Sequence, residues 1–240
     1  MSASPTNRPI SVVLLDIEGT TTPIDFVYKV LFPYARARAA RFLAAHRAEL
    51  TDDIEGLMRE NAKDIARGLN PPRIKTEDEL GAYVHWLMDQ DRKATPLKSL
   101  QGKIWQAGYT AGELHSQVFE DVPPAFKRWR EQGKSICIYS SGSVLAQKLL
   151  FANTEAGDLT LFIRGYFDTN TGPKSEPESY RRIADALELR PSAMLFISDV
   201  TAELEAARAA GLETILCVRP GNHSQTAASR YMVIRSFDEV

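Results

Sequence analysis

Ser11-Val12-Val13-Leu14-Leu15-Asp16-Ile17-Glu18-Gly19-Thr20 is the stretch that decides the fold. A short apolar run, Val12 to Leu15, stops at two acids, Asp16 and Glu18, and Gly19, Thr20 and Thr21 follow at once. A strand buried on both faces of a parallel sheet reads as such a run. Glycine lets the chain turn sharply away from it. Open parallel sheets bind ligands at the carboxyl ends of their strands. Two carboxylates placed there, with hydroxyls beside them, suit an aspartyl nucleophile, a second acid for proton transfer and a hard metal ion. Asp, Gly and Thr are also ordinary turn residues. The functional reading therefore needs partners elsewhere in the chain.

The chain around this stretch has 240 residues, room for one large or two small domains, with 44% hydrophobic and 25% charged residues. Its 29 basic and 31 acidic residues give a formal net charge of -2. That balance offers no general basic excess for a nucleic acid or a membrane surface, although a small anion needs only a local positive site. Cys137 and Cys217 each lie inside an apolar run and read as buried free thiols, not as a disulfide or zinc pattern. No run approaches the roughly 18 apolar residues of a membrane span. The polar first nine residues do not read as a signal peptide. A cytoplasmic protein is expected.

Strand-like runs recur at 12–16, 135–139, 194–198 and 214–218, with a weaker one at 231–234. Helical patterns at 123–132, 143–153, 176–187 and 201–210 separate the later ones, giving an alternating α/β order. The interval between the first two strands differs. It holds no convincing strand and reads as helices over 27–46, 52–67, 76–91 and 96–110, with Asn70, Pro71 and Pro72 breaking the middle. The expected organisation is a Rossmann-like parallel α/β core, residues 1–23 and 119–240, with an inserted all-helical cap, residues 24–118. A cap over a sheet edge can exclude water from chemistry.

Three further stretches place reactive groups at strand ends or helix starts. In Tyr139-Ser140-Ser141-Gly142-Ser143, hydroxyls and backbone N–H groups precede a helix, a setting that favours phosphate. In Gly172-Pro173-Lys174-Ser175-Glu176, Lys174 stands in a turn before a helix and offers a compact positive charge to a phosphoryl oxygen or a buried carboxylate. In Phe196-Ile197-Ser198-Asp199, an acid again ends an apolar strand, so Asp199 could join Asp16 around magnesium, which takes few carboxylates and keeps several waters. Glu203, one helical turn on, could hold Lys174 or a metal-bound water, or simply complement a helix start.

Four such pieces in this order resemble the haloacid dehalogenase superfamily of phosphatases. That superfamily usually has Asp two residues after the nucleophile, where this chain has Glu18. The string Asp16-Ile17-Glu18-Gly19-Thr20-Thr21-Thr22-Pro23-Ile24, with Phe32-Pro33-Tyr34, 84–91 and 100–106, is similar to the enolase-phosphatase family of methionine salvage. The resemblance implies enolisation of 2,3-diketo-5-methylthiopentyl-1-phosphate, followed by phosphate hydrolysis to the acireductone. It implies Asp16 as nucleophile, and Glu18 and Lys174 as catalytic partners. Ser140, Ser141 and Lys174 would hold the phosphate. One magnesium ion per subunit would be held by Asp16, Glu18 (through its backbone carbonyl) and Asp199. It further implies a small phosphorylated substrate, no nucleic-acid or membrane partner, and a monomer.

The enolisation base is open between Glu18 and a residue of the cap. Phe26, Tyr28, Phe32, Trp86, Trp105 and Tyr109 could line an apolar pocket for the methylthio group, although most aromatic residues on such helices serve a core. The competing readings are a general small-metabolite phosphatase on the same core and a non-catalytic binding protein. The second would be expected to lack at least one of Asp16, Lys174 and Asp199, and all three are present.

Overall fold

A computed structural model describes residues 9–76, 79–225 and 228–240. Six parallel strands form one sheet: β1 (Val12–Leu15), β2 (Ser135–Tyr139), β3 (Ile163–Phe167), β4 (Met194–Ser198), β5 (Glu213–Cys217) and β6 (Met232–Ile234), in the order β3-β2-β1-β4-β5-β6. All four residues of β1 are fully buried, as a central strand covered on both faces requires. Its side chains alternate between two cores. Val13 and Leu15 join Phe126, Trp129, Phe151 and Phe237 on one face. Val12 and Leu14 join Tyr139, Tyr180, Phe196 and Leu204 on the other.

The helices that supply these cores follow the strands in sequence: α6 (Val122–Glu131), α7 (Val144–Ala152), α8 (Pro177–Ala186) and α9 (Thr201–Ala209). Pro123 and Pro177 stand in the first turns of α6 and α8, where a missing N–H costs nothing. Both cysteines are buried free thiols.

The structure adds a strand that the sequence pattern does not announce. Ile163-Arg164-Gly165-Tyr166-Phe167 is neither an apolar run nor a clean alternation, yet it pairs with β2 as β3. It lies at the sheet's edge, where burial is partial and the pattern therefore weak.

The chain divides into two compact units, Met1–Val27 with His115–Val240, and Tyr28–Leu114. Leading into the second are a single turn, α1 (Ile24–Phe26), and a π-helical turn, Val27–Leu31. The second unit contains α2 (Phe32–Ala45), α3 (Thr51–Ala66), α4 (Leu80–Asp89) and α5 (Thr95–Thr110). The helix expected over 27–46 is thus continuous helical backbone from Ile24 to Ala45, with the π-helical turn Val27–Leu31 inside it. Pro33 has no N–H to give to the helical ladder, and the π-helical turn lies directly before it. The helix expected over 76–91 starts at Leu80, and residues 77 and 78 lie outside the described ones.

Ala35, Ala39 and Leu43 form the buried stripe of α2 at helical spacing. Asp64, fully buried on α3, accepts hydrogen bonds from Tyr83 Oη at 2.8 Å and Arg92 Nη2 at 3.1 Å, so its charge is paired. Of the aromatic residues considered for an apolar pocket, Phe26, Trp105 and Tyr109 are buried, and Trp105 Nε1 donates to Leu31 O at 2.8 Å. Tyr28 is 52% exposed. His85 Nε2 meets Arg36 O at 2.9 Å, a structural contact within the unit. Among the described residues no helix is long and apolar enough to cross a membrane.

Trp129 on α6 is fully buried and its ring lies 5.2 Å from that of Phe237. Trp129→Ala is expected to lower unfolding free energy by about 3–5 kcal/mol in urea titration. Leu161→Ala, at a side chain 76% exposed, is expected to change it by no more than about 0.5 kcal/mol.

Candidate active site

The strand register brings the predicted residues to one edge. Leu15 pairs with Ile138 of β2 and with Ile197 of β4. The residues just beyond, Asp16, Ser140 and Asp199, therefore leave the sheet at nearly one level. The strand order reverses between β1 and β4, which makes their carboxyl ends the crevice where doubly wound sheets bind ligands.

Asp16 is buried, and its N–H still donates to Ile197 O at 3.1 Å, so its backbone is held by the sheet. After it the chain folds tightly: the N–H groups of Thr20, Thr21 and Thr22 all converge on Ile17 O, and Gly19 N donates to Thr22 O at 2.8 Å. Gly19 has φ +75°, and a Cβ there would come 2.5 Å from Asp199 Oδ2 and 3.0 Å from Asn222 Oδ1. Only glycine meets both demands. Thr20 Oγ1 reaches Asp16 Oδ2 at 3.4 Å, and Thr21 Oγ1 donates to Asp16 O at 3.2 Å. Glu18 is partly exposed and bridges to Thr22.

Lys174 Nζ hydrogen-bonds Asp16 Oδ1 and lies 2.6 Å from Glu203 Oε2. Glu203 also accepts from Ser198 Oγ at 2.9 Å. The alternatives left open for Glu203 in the sequence thus resolve to a contact with Lys174. The lysine's backbone is fastened by three hydroxyls on three successive carbonyls. Tyr139 Oη donates to Gly172 O at 2.8 Å, Ser179 Oγ to Pro173 O at 2.7 Å, and Tyr180 Oη to Lys174 O at 2.8 Å. Tyr139 and Tyr180 are fully buried and their rings meet edge to face at 5.5 Å.

Ser140 and Ser141 are half-buried at the end of β2. Ser140 Oγ accepts from Gly142 N at 3.3 Å, while Ser143 caps α7 by accepting from Ala146 N at 3.3 Å. Ser143 therefore serves the helix, and Ser140 and Ser141 line the turn ahead of it.

The electrostatics of this cluster are unbalanced. Three buried or largely buried carboxylates, Asp16, Asp199 and Glu203, face one ammonium, Lys174. Burial raises Asp16 to about 6 against the opposing pull of Lys174. Burial raises Asp199 to about 8, with the charges of Asp16 and Glu203 adding to it. Burial alone would lower Lys174, but Asp16 and Glu203 outweigh it and hold the ammonium above its ordinary value.

A divalent cation is the group whose charge would balance this set. The donors fit it, because Asp199 Oδ1 is buried without a hydrogen-bond partner and the oxygens are hard. Among the described residues no three His, Cys, Asp or Glu side chains are grouped as metal ligands. The fit therefore rests on two carboxylates, Asp16 and Asp199, completed by backbone oxygen and water. Magnesium takes such a set.

Sequence reasoning missed the loop after β5. Arg219 is buried between the rings of Phe119 (4.5 Å) and Phe237 (4.7 Å). Its Nε donates to Thr20 O at 3.2 Å, and its Nη2 lies 2.8 Å from Asp121 Oδ2, an ion-pair contact without hydrogen-bond alignment. Asn222 Nδ2 donates to Gly19 O at 2.9 Å. The available signal was Arg219-Pro220-Gly221-Asn222 directly following an apolar strand, the same grammar as at Asp16.

Residues 10–211 match the family model of the haloacid dehalogenase-like hydrolases, and the chain belongs to that family. Within it, the chain is 54% identical to enolase-phosphatase E1 of Synechococcus elongatus, over 96% of this chain and 98% of that one. It is 46% identical to enolase-phosphatase E1 of Sorangium cellulosum, over 97% of each. The crystal structure of the Saccharomyces cerevisiae UTR4 protein superposes with a TM-score of 0.79 at 34% identity, over 96% of this chain and 100% of that one. The relatives place it in the enolase-phosphatase E1 group of the family.

Gly19→Ala tests how closely this loop is built. The protein is expected to fold, with a loss of about 1–2 kcal/mol from the left-handed backbone. Hydrolysis of an aryl phosphate is expected to fall roughly 100-fold or more, because the new methyl displaces Asp199.

Proposed function

We propose that the chain is the enolase-phosphatase of methionine salvage, which enolises 2,3-diketo-5-methylthiopentyl-1-phosphate and then hydrolyses its phosphate to give the acireductone. Its full-length relatives carry the name, at 44% to 54% identity. The observation that carries the chemistry is the seating of Asp16, a carboxylate held at the end of a buried strand with Lys174 on one oxygen and Thr20 near the other. The family's use of magnesium agrees with the charge imbalance around it.

In this reading an Asp16 oxygen attacks phosphorus in line, and the bond from phosphorus to the ester oxygen breaks. Lys174, Ser140 and Ser141 hold the phosphoryl oxygens, so that the charge spread over them meets donors already in place. Glu18 gives a proton to the departing oxygen. It then takes one from the water that attacks phosphorus of the aspartyl-phosphate, which releases phosphate and returns Asp16 as a carboxylate. Magnesium, held by Asp16, Asp199 and the backbone at Glu18, would supply positive charge at the phosphoryl group and at a substrate carbonyl. Glu18 has one methylene more than Asp. We assign to that reach the removal of a proton from the carbon bearing the phosphate, which begins the enolisation. A monomer acting on this small substrate completes the reading.

The purified protein with magnesium and the diketo phosphate is expected to show an enediol absorbance that rises and then yields free phosphate. Phosphate release from ordinary sugar phosphates without that absorbance would instead support a general phosphatase. Asp16→Asn is expected to abolish phosphate release. Glu18→Gln is expected to slow both steps by about 100- to 10,000-fold, and intact enolisation in that variant would move the base to the helical unit. Removing divalent ions with EDTA is expected to stop phosphate release, and adding magnesium back to restore it.

A further inference from the structure

Asn222 holds the nucleophile loop through one end of its amide and leaves the other end unmet. Its two amide protons are both committed: Nδ2 donates to Gly19 O at 2.9 Å and, more weakly, faces Cys217 O at 3.5 Å. That fixes which end of the amide is oxygen. Oδ1 is then a buried acceptor, and it has no hydrogen-bond partner. Native structures seldom leave such a buried acceptor unmet without a reason.

The surroundings of Oδ1 narrow what can meet it. It flanks the open side of Gly19, where a Cβ would touch it at 3.0 Å and would touch Asp199 Oδ2 at 2.5 Å. Asp199 Oδ1 is likewise buried without a partner. Two neighbouring residues thus each present an acceptor with no donor from the protein. Two acceptors cannot satisfy one another unless the carboxyl carries a proton, and in the ionised state that holds a cation Asp199 has none to give. A cation on the carboxylate, carrying a water whose proton points to the amide, satisfies both.

We infer that Asn222 belongs to the metal site: its Oδ1 accepts a hydrogen bond from a water on the magnesium ion, while its Nδ2 holds the nucleophile loop at Gly19. This rests on the reading that Asp16 and Asp199 bind magnesium. It makes the loop after β5 a working part of the site, since Arg219 fastens Thr20 O and Asn222 fastens Gly19 O from one turn. Asn222 is a positioning residue here, acting through the bound water and the loop.

The test is magnesium affinity, measured by titration calorimetry on the EDTA-treated, dialysed full chain without substrate. Asn222→Ala removes both the acceptor and the donor, and is expected to weaken magnesium binding about 10- to 100-fold. Asn222→Asp keeps an acceptor oxygen but loses the donor to Gly19 O. It is expected to bind magnesium as tightly as the unaltered protein or more tightly. Equal weakening in both variants would overturn the proposal, because only the bond to Gly19 O would then matter. Unchanged affinity in Asn222→Ala would overturn it as well. Thermal unfolding of each variant without metal confirms that a folded protein is being titrated. If the unaltered protein and Asp199→Asn both fail to bind magnesium, the metal reading falls and the proposal with it, whereas retained binding in the unaltered protein alone leaves the variants to decide.

Discussion

The ion pair between Asp16 and Lys174 is the interaction on which the rest of the site depends. It joins the end of the central strand to a turn 158 residues later and is almost wholly withdrawn from water. Each ion carries a desolvation cost of several kcal/mol, which is tolerated only when geometry and further hydrogen bonds support it. The structure supplies that support twice over. Asp16 is held by the sheet and by the hydroxyls of Thr20 and Thr21, and Lys174 by Glu203 and by three hydroxyls along its backbone. Such pre-set groups need little reorganisation when a phosphoryl group arrives.

One consequence is a cluster that is over-supplied with negative charge. Burial alone would raise both Asp16 and Asp199, and Lys174 answers only part of it. The unmet oxygens of Asp199 and Asn222 sit in the same neighbourhood. Charge balance and hydrogen-bond accounting are independent arguments, and a hydrated divalent cation would answer both. The site of this hydrolase is thus specified as much by what its protein groups leave unsatisfied as by the bonds they make.

The loops that carry these groups are themselves anchored to the cores. Tyr139 and Tyr180, which fasten the turn at Lys174, also pack against Phe196 and Leu204 beneath the sheet. Arg219, which fastens Thr20, lies between Phe119 and Phe237 and faces Asp121. Asp121 in turn accepts from Phe237 N at 2.5 Å. The last residues of the chain therefore reach the nucleophile loop through one arginine. Rigid supports of this kind are what hold a reactive constellation in register.

Much of this was legible in the amino-acid order, because a parallel strand buried on both faces must be a short apolar run, and a site at its end must follow that run. Lys174 was read from its turn before a helix, while Asp16, Ser140 and Asp199 were found at strand ends, as was the alternation of strand and helix. β3 was not legible there, since an edge strand is buried too little to impose the pattern, and the π-helical turn ahead of Pro33 was hidden by an otherwise continuous helical periodicity. Nor could the order of residues show that Glu203 turns to Lys174, that Tyr139 and Tyr180 work as hydroxyls and not only as core, or that Asn222 crosses 203 residues to reach Gly19. Local sequence determines which residues stand at a strand's end, because the side-chain period and the turn are local. Which of them meet is decided only when the sheet sets its strand order and register, because that depends on contacts between segments far apart in the chain.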